Sequence, residues 1–408
     1  MSNLSDFRGG VFRIGDTMIV EERGESFTRG SEIWLRTGVI DSAVTYSQAA
    51  ALEHMRVIGL AAVLPSSMTV TDVAHNGAGI WIAAFGDATN IARSVDDGVT
   101  WNLVAHNAAG AVFSVARGAG VFVAMGNSTT FFQPSSSSDG SSWTVRTGTA
   151  ITTASANTSW VRFGGGQFVA CCGGASATGQ ISTSPDGINW TLRSGSQAIS
   201  GQAKIAYNGT IWLVLGSAPA AMSSTDAITW TNRTAPVGAN PMMAANTTLF
   251  VCIFGTTPTS YYTTTDAITF TQRFMPVNAT NAAPRGFRVG PMVTYTGTYF
   301  IITSTADGIG SSNALFYYSA DGISGWKRRW LSAAHSPNTN AQWMVAGYGT
   351  KLVCLPSAYS TGVPAASTSA LYHASFPAGA DFIGSSYQNI VSSGASGVGQ
   401  CAVYLRIR

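Results

Sequence analysis

The stretch Ser94-Val95-Asp96-Asp97-Gly98-Val99-Thr100-Trp101 decides the fold, because the chain repeats its pattern. Small residues lead to an Asp, a Gly or Ala follows, and an aromatic residue closes the pattern. Further copies lie at 136–143, 186–190, 226–230, 266–270 and 321–326, with a worn copy at 379–382. The aromatic residues fall 40 to 56 positions apart. Self-similarity at this period indicates an array of repeated units or a propeller.

Each copy has the composition of a hairpin turn. An Asp carboxylate accepts hydrogen bonds from backbone N–H groups in a turn, and Gly tolerates the positive φ that such turns require. The aromatic residue begins the next strand, where Thr-x-Arg follows in four copies and alternates as a half-exposed strand does. We therefore predict a structural role for the Asp residues of the six clear copies. These are Asp97, Asp139, Asp186, Asp226, Asp266 and Asp321.

Every period holds a second landmark upstream of this turn. A small-residue turn leads into an apolar strand seven times, as in Gly79-Ile80-Trp81-Ile82, and another short strand precedes it. Four short antiparallel strands in each of seven units predict an all-β fold, a seven-bladed β-propeller of four-stranded blades with a small non-repeating N-terminal module. A β-solenoid is the alternative, although its periods are normally shorter.

Charge divides the chain into segments. Residues 1–64 carry eight acidic residues against six arginines, whereas the remainder has a net charge of +5. We predict an N-terminal attachment module at 1–64, with strands at 11–20 and 32–40 and a helix at 47–55, followed by the propeller at 65–390. Residues 391–408 end in an apolar strand outside the repeats. A lone strand needs a pairing partner, so we hypothesise that it joins the N-terminal module.

Composition narrows the classes of function. A net charge of +3 over 408 residues gives no reason to expect nucleic-acid binding. The five cysteines and five histidines lack metal-ligand spacing, so we expect buried thiols, no metal and no cofactor. No export signal is visible and the longest apolar run is too short to cross a bilayer, which predicts synthesis in a cytoplasm and no membrane insertion.

The repeated turn resembles the Asp box of sialidases and of many other β-propellers. A sialidase needs a Tyr–Glu nucleophile pair, an Asp acid/base and three Arg, yet no Glu occurs after residue 53. Other glycosidases need two close carboxyl groups, and only Asp72, Asp87 and Asp307 of the propeller lie outside the turns. We therefore expect no enzyme, and a weak hydrolase site formed by loop carboxylates is the less favoured alternative.

The segment Glu32-Ile33-Trp34-Leu35-Arg36-Thr37-Gly38-Val39-Ile40 resembles a W-L-x-T-G element of bacteriophage tail-fibre and collar proteins. The resemblance implies a tail-fibre or tail-tip subunit of the virion, made in the host cytoplasm. Its N-terminal module would bind other tail or baseplate proteins, and its propeller would bind a host surface glycan or outer-membrane protein. Homo-oligomerisation is compatible with this interpretation. A structural tail adaptor that contacts no receptor is the competing hypothesis.

The binding face is predicted from loop lengths. One face of the disc carries the short repeated turns, whereas the other carries loops of unequal length and unrelated sequence. The longest loops hold side chains that suit a glycan site, because Arg pairs with acidic groups and Tyr stacks on sugar rings. The predicted ligand-binding residues are Arg285, Arg288, Asp307, Asn313, His335 and Tyr359.

Overall fold

The structure, a computed structural model, describes strands near both ends of the chain and most of the repeats. The described residues are 12–14, 17–21, 26–29, 32–39, 70–98, 101–108, 110–127, 131–146, 151–152, 159–173, 178–199, 201, 203–216, 219–236, 238, 240–255, 260–274, 292–304, 315–330, 342–348, 351–358, 372–374 and 401–407. The helix predicted at 47–55 and the boundaries predicted at 64 and 390 lie outside these residues and stay predictions.

Four short strands precede the repeats. They are β1 (Phe12–Ile14), β2 (Thr17–Glu21), β3 (Ser26–Arg29) and β4 (Glu32–Val39). β1 pairs with β2 and β3 pairs with β4, both antiparallel.

The repeats form six four-stranded antiparallel blades, whose strands follow one another in chain order. Blade 1 has β5 (Asp72–His75), β6 (Trp81–Ala84), β7 (Asn90–Ser94) and β8 (Asn102–Ala105). Blade 2 has β9 (Ala111–Gly118), β10 (Val121–Asn127), β11 (Phe131–Ser137) and β12 (Thr144–Val145), with β13 (Ile151–Thr152) also paired to β11. Blade 3 has β14 (Ser159–Gly164), β15 (Gln167–Cys172), β16 (Thr178–Ser184) and β17 (Thr191–Ala198). Blade 4 has β18 (Lys204–Tyr207), β19 (Trp212–Leu215), β20 (Ala220–Ser224) and β21 (Thr231–Thr234). Blade 5 has β22 (Met242–Ala245), β23 (Phe250–Ile253), β24 (Ser260–Thr264) and β25 (Thr271–Phe274). Blade 6 has β26 (Met292–Tyr295), β27 (Phe300–Ser304), β28 (Leu315–Ser319) and β29 (Lys327–Trp330).

The prediction of seven four-stranded blades is wrong, because the described residues form six such blades. The seventh repeat forms a three-stranded sheet of β30 (Gln342–Tyr348), β31 (Lys351–Ala358) and β32 (Tyr372–Ala374). β30 lies beside β26 of blade 6 and β5 of blade 1, so this sheet completes the ring. The worn copy at 379–382 has Gly379 two residues before Asp381, where the clear copies have Ser or Thr. It therefore lacks the hydroxyl group that ties the turns of the other copies together.

The C-terminal strand β33 (Cys401–Ile407) lies in the N-terminal sheet. It pairs antiparallel with β2 on one side and with β4 on the other, which gives the strand order β1-β2-β33-β4-β3. This is the pairing hypothesised from the lone terminal strands. The sheet therefore brings both ends of the chain together.

Burial falls from the second strand of a blade to the fourth. β6, β19 and β23 are buried at every residue, whereas β8, β21 and β25 are exposed at three of four. Apolar side chains of the second strands pack between neighbouring blades, as where Val169 and Cys171 of β15 share one cluster with Trp212 and Val214 of β19. Removing such large side chains from water is the main stabilising contribution to the ring.

Candidate functional site

The predicted ligand-binding loops give no geometry to report. Arg285, Arg288, Asp307, Asn313, His335 and Tyr359 all lie outside the described residues. That site stays a prediction.

The repeated turns use their carboxylates for local hydrogen bonds. In blade 4, the hydroxyl of Ser224 donates to Asp226 Oδ1 at 2.9 Å, and the backbone N–H groups of Ile228 and Thr229 donate to the same oxygen at 2.8 and 2.7 Å. The Ala227 N–H donates to Ser224 Oγ at 2.8 Å, and Ala227 adopts a φ of 59°. The N–H groups of Thr229 and Ile228 lower the pKa of Asp226 to about 2. The carboxylate therefore fixes the turn.

Other turns repeat this arrangement. A Ser or Thr hydroxyl donates to the Asp two residues later at Asp139, Asp186, Asp266 and Asp321. On the strand after the turn, the Arg of Thr-x-Arg donates from Nε to a Ser or Thr hydroxyl of the third strand at 2.7 to 3.0 Å. These arginines are Arg146, Arg193, Arg233 and Arg273. These hydrogen bonds lie within single blades. Other bonds to the turns cross between blades, because Arg93 Nε donates to the Asp139 carbonyl oxygen at 2.9 Å and Gln167 Nε2 donates to the Asp226 carbonyl oxygen at 3.1 Å.

The first copy differs, because it has one extra residue between the Ser and the Gly. Ser94 donates to Asp96 rather than to Asp97, at 2.8 Å. Asp97 instead accepts a 2.6 Å hydrogen bond from the Tyr348 hydroxyl, whose oxygen accepts the Gly79 N–H at 3.1 Å. Burial, together with the bond to Asp97, raises the pKa of Tyr348 to about 12. Asp97 therefore links blade 1 to the three-stranded sheet, while Asp96 occupies the usual turn position.

The inner strands enclose a pocket of about 400 Å³ on the axis of the ring. Every blade and the three-stranded sheet contribute side chains to it. The blade 1 to 3 side of the pocket is charged and contains Asp72, Arg117 and Arg162, whereas the opposite side contains Met243 and Met344. We call this cavity the axial pocket. Its two sides suit a ligand that has both charged and apolar parts.

An ion pair between buried Asp72 and half-buried Arg162 forms part of the charged side. Arg162 donates from Nη1 to Asp72 Oδ2 at 2.7 Å and from Nη2 to Oδ1 at 3.1 Å. Asp72 Oδ2 also accepts the Ser114 hydroxyl at 2.6 Å and the Val115 N–H at 3.1 Å. The Asp72 carboxylate is therefore saturated with donors, and its charge and that of Arg162 offset each other.

Lys204 lies behind this pair, on the inner strand of blade 4. Its Nζ lies 3.3 Å from the centre of the Trp160 ring, a cation–π contact. Burial lowers the pKa of Lys204 to about 7, although Asp72 opposes the shift. The Lys204 amine therefore changes between its charged and neutral forms near pH 7.

Pairs of aromatic rings, tilted or edge-on to each other, repeat at or next to the last positions of the inner strands. His75, Phe163, Tyr207 and Tyr295 each pair in register with an aromatic residue of the second strand, with ring centres 4.7 to 5.0 Å apart. Arg117 holds the equivalent position in blade 2, with Cζ 4.8 Å from the centre of the Phe122 ring. Blade 2 therefore has a cationic side chain at the position where blades 1, 3, 4 and 6 have an aromatic or imidazole ring.

Several buried polar atoms around the axial pocket have no hydrogen-bond partner among the described residues. They are Nε and Nη1 of Arg117, Oγ1 of Thr294 and Nδ1 of His75. Burial lowers the pKa of His75 to about 4, so its imidazole is neutral at pH 7. Burial also lowers the pKa of Arg117, but a guanidinium stays charged. Leaving these buried atoms without a partner costs free energy, because their hydration is lost.

The predicted site residues include none of these charged side chains. The sequence does carry a signal: charged residues make up only 10% of the chain, yet Asp72, Arg117, Arg162 and Lys204 fall in the strands just before the small-residue hairpins. Those strands are the innermost of each unit. These four side chains come together only because of how the blades are arranged around the axis. The spacing of the residues in the sequence does not specify that arrangement.

In the described part of the chain, no group of three or more His, Cys, Asp or Glu side chains is placed to hold a metal ion. Cys171, Cys172 and Cys252 are buried free thiols. Across the same residues no helix has the length and apolarity to span a membrane.

No protein-family model matches the sequence, and no curated protein matches it. The fold is similar to solved structures at low identity. YCF48 bound to a D1 peptide is 12% identical with a TM-score of 0.50, over 77% of this chain and 93% of that one. YCF48 from Cyanidioschyzon merolae is 12% identical with a TM-score of 0.49, over 79% and 98%. A streptogramin B lyase is 10% identical with a TM-score of 0.49, over 71% and 91%. The likeness at a TM-score of 0.50 is one of fold alone, and it identifies this chain as a β-propeller and nothing finer.

Proposed function

We propose that the protein is a phage tail-fibre or tail-tip subunit that binds a receptor on the bacterial surface and catalyses no reaction. The observation that carries the proposal is the sheet that joins the chain ends. β4 contains most of the segment that resembles phage tail proteins, and it is hydrogen-bonded to β33. In this proposal the sheet, which contains strands from near both ends of the chain, attaches the protein to the tail. The propeller is then the part that contacts the host.

The hydrogen bonds made by the described carboxylates favour a binding role for the protein over hydrolysis of a glycan. A glycosidase needs two carboxyl groups on either side of the scissile bond. Asp72 is bound by Arg162, Ser114 and Val115, and Asp87 accepts the Thr89 and Asn90 N–H groups at 2.7 Å. These contacts hold both acids in structural roles.

The receptor on this proposal is a surface glycan or an outer-membrane protein, bound by the long loops of one face. A variant in which Ala replaces Arg285, Arg288 and Tyr359 together should attach less of the labelled protein to host cells. It loses the pairing of Arg with acidic groups and the stacking of Tyr on sugar rings. The matched control changes Ile188, Ile228 and Ile268 of the turn face to Ala; their side chains are exposed.

Cell-bound fluorescence measures the attachment. We expect strong loss for the loop variant and parental attachment for the turn variant. Equal attachment by the parent and both variants would contradict the predicted loop site. Release of reducing sugar from host glycan by the parent protein would contradict a purely binding role.

A further inference from the structure

We propose that one face of the N-terminal sheet binds an acidic surface of a partner protein, because four arginines and three aromatic residues lie together on that face. The proposal rests on the proposed function, in which this sheet attaches the protein to the tail, and it adds the chemistry of the partner.

The strand registers sort the residues of the sheet into two faces. Residues paired across an antiparallel sheet lie on the same face, and the face alternates along each strand. Trp34 pairs with Phe27 of β3 and with Arg406 of β33. Tyr404, two positions before Arg406 on β33, pairs with Arg36. These five residues therefore share one face of three adjacent strands.

The remaining two arginines of the described strands lie on the same face. Arg13 pairs with Met18, which in turn pairs with Tyr404. Arg29 lies two positions after Phe27 on β3. We call this surface the arginine face and define it by the four arginines together with the three aromatic residues Phe27, Trp34 and Tyr404.

The arginine face is positively charged. Within the described strands its acidic residue is Glu32, the register partner of Arg29. Four arginines less one glutamate give the face a net charge of +3. Guanidinium groups pair with carboxylates in a bidentate geometry, so an acidic surface is the complementary partner.

The opposite face of the sheet is mainly apolar. Ile19 pairs there with Val403, and Leu405 pairs with Leu35. Antiparallel sheets commonly pack an apolar face on a core and present the other face at the surface. This division favours the arginine face as the one that recognises a partner.

The composition of the arginine face favours a protein partner over a nucleic acid. Trp, Tyr and Arg are the residue types that contribute most to protein–protein interfaces, whereas Lys is depleted there. Phosphate backbones, in contrast, are neutralised by Lys and Arg alike. The described strands of this sheet contain no lysine.

Two probes test the face in the full-length protein. The first is tail particles that lack this protein, with which the labelled protein is sedimented. The second is immobilised poly-L-glutamate, compared with oligodeoxythymidylate of equal charge. We expect retention on the particles and tighter binding of poly-L-glutamate than of the oligonucleotide. Both interactions should weaken at least about tenfold between about 50 mM and about 500 mM salt, because salt screens charges at a surface.

Charge reversal locates the contact. Arg36→Glu combined with Arg406→Glu should weaken both interactions at least about tenfold, because like charges then face each other. The matched control is Arg233→Glu combined with Arg273→Glu. It makes the same change of net charge on the outer strands of blades 4 and 5, and it should bind as the parent does.

The outcomes separate this inference from the proposed function. Parental binding by a folded charge-reversed protein, or tighter binding of the oligonucleotide, would overturn the inference. If the charge-reversed protein does not fold, binding of the parent that is independent of salt would overturn it. A parent that is not retained on the particles would contradict the proposed function, and the poly-L-glutamate affinities of parent and variant would then decide the inference alone.

Discussion

Single carboxylates organise the repeated turns. At Asp186, Asp226, Asp266 and Asp321, one oxygen accepts two backbone N–H groups and a hydroxyl of the same turn. The sequence pattern predicts a structural role for these carboxylates where the spacing from hydroxyl to Asp is regular, and these bonds are the ones such a role requires. It misplaces the role in the first copy, because two adjacent Asp residues fit the pattern and only the structure shows that Ser94 bonds Asp96.

Asp186→Ala should lower the free energy of unfolding by about 1 kcal/mol, since the turn loses hydrogen bonds that water partly replaces. Chemical denaturation of the purified protein measures the change. Ile188→Ala removes a side chain of the same turn that makes no side-chain hydrogen bond, and should unfold near the parental midpoint. An Asp186→Ala protein as stable as the parent would contradict the structural role of the carboxylate.

Acid should destabilise the protein through the same groups. The pKa of Asp226 falls from 3.8 to about 2 in the folded state, so the folded form binds this proton less readily than the unfolded form. The resulting stabilisation is complete above about pH 4 and is lost as pH falls towards 2. The free energy of unfolding, measured across this window, should drop in the parent and drop less in Asp226→Asn. Identical profiles would show that the turn does not hold the Asp226 pKa low.

At the scale of strands and sheets, hairpins are predictable and closure of the ring is not. The small-residue turns and apolar second strands mark β5–β6, β18–β19 and β22–β23 in the sequence, because each turn and its two strands are contiguous. The contact that joins the three-stranded sheet to blade 1 spans 251 residues, from Tyr348 to Asp97. His75 stacks on the same tyrosine at 4.5 Å, which strengthens the seam. Neither contact has a local signature.

Tyr348→Phe should weaken this seam. It removes the bond to Asp97 and the acceptor of the Gly79 N–H, so we expect a loss of about 1 to 2 kcal/mol of stability. Hydrogen exchange should speed up more in β6 of blade 1 than in β19 of blade 4. Tyr207→Phe is the control, because its hydroxyl bonds Gly209 within a single hairpin. Equal exchange in both blades would mean that the seam does not hold the ring together.

On the scale of the whole molecule, the sequence predicts a propeller but overstates its regularity. The prediction of seven four-stranded blades is wrong, because the described residues form six such blades and a three-stranded sheet. The sequence does not predict the axial pocket, for a different reason. Asp72 and Arg162 are 90 residues apart and meet only because blades 1, 2 and 3 are consecutive around the axis. Contacts of that kind depend on how the blades are arranged around the axis, and no sequence motif marks them.

The central claim is that the propeller meets the host while the N-terminal sheet attaches to the tail. The most direct measurement is the adsorption rate of virions whose tail protein lacks residues 65–390, compared with parental virions at equal particle number. We predict that particles assemble in normal yield and that adsorption is lost. Normal assembly with normal adsorption would contradict the claim and favour a structural tail adaptor.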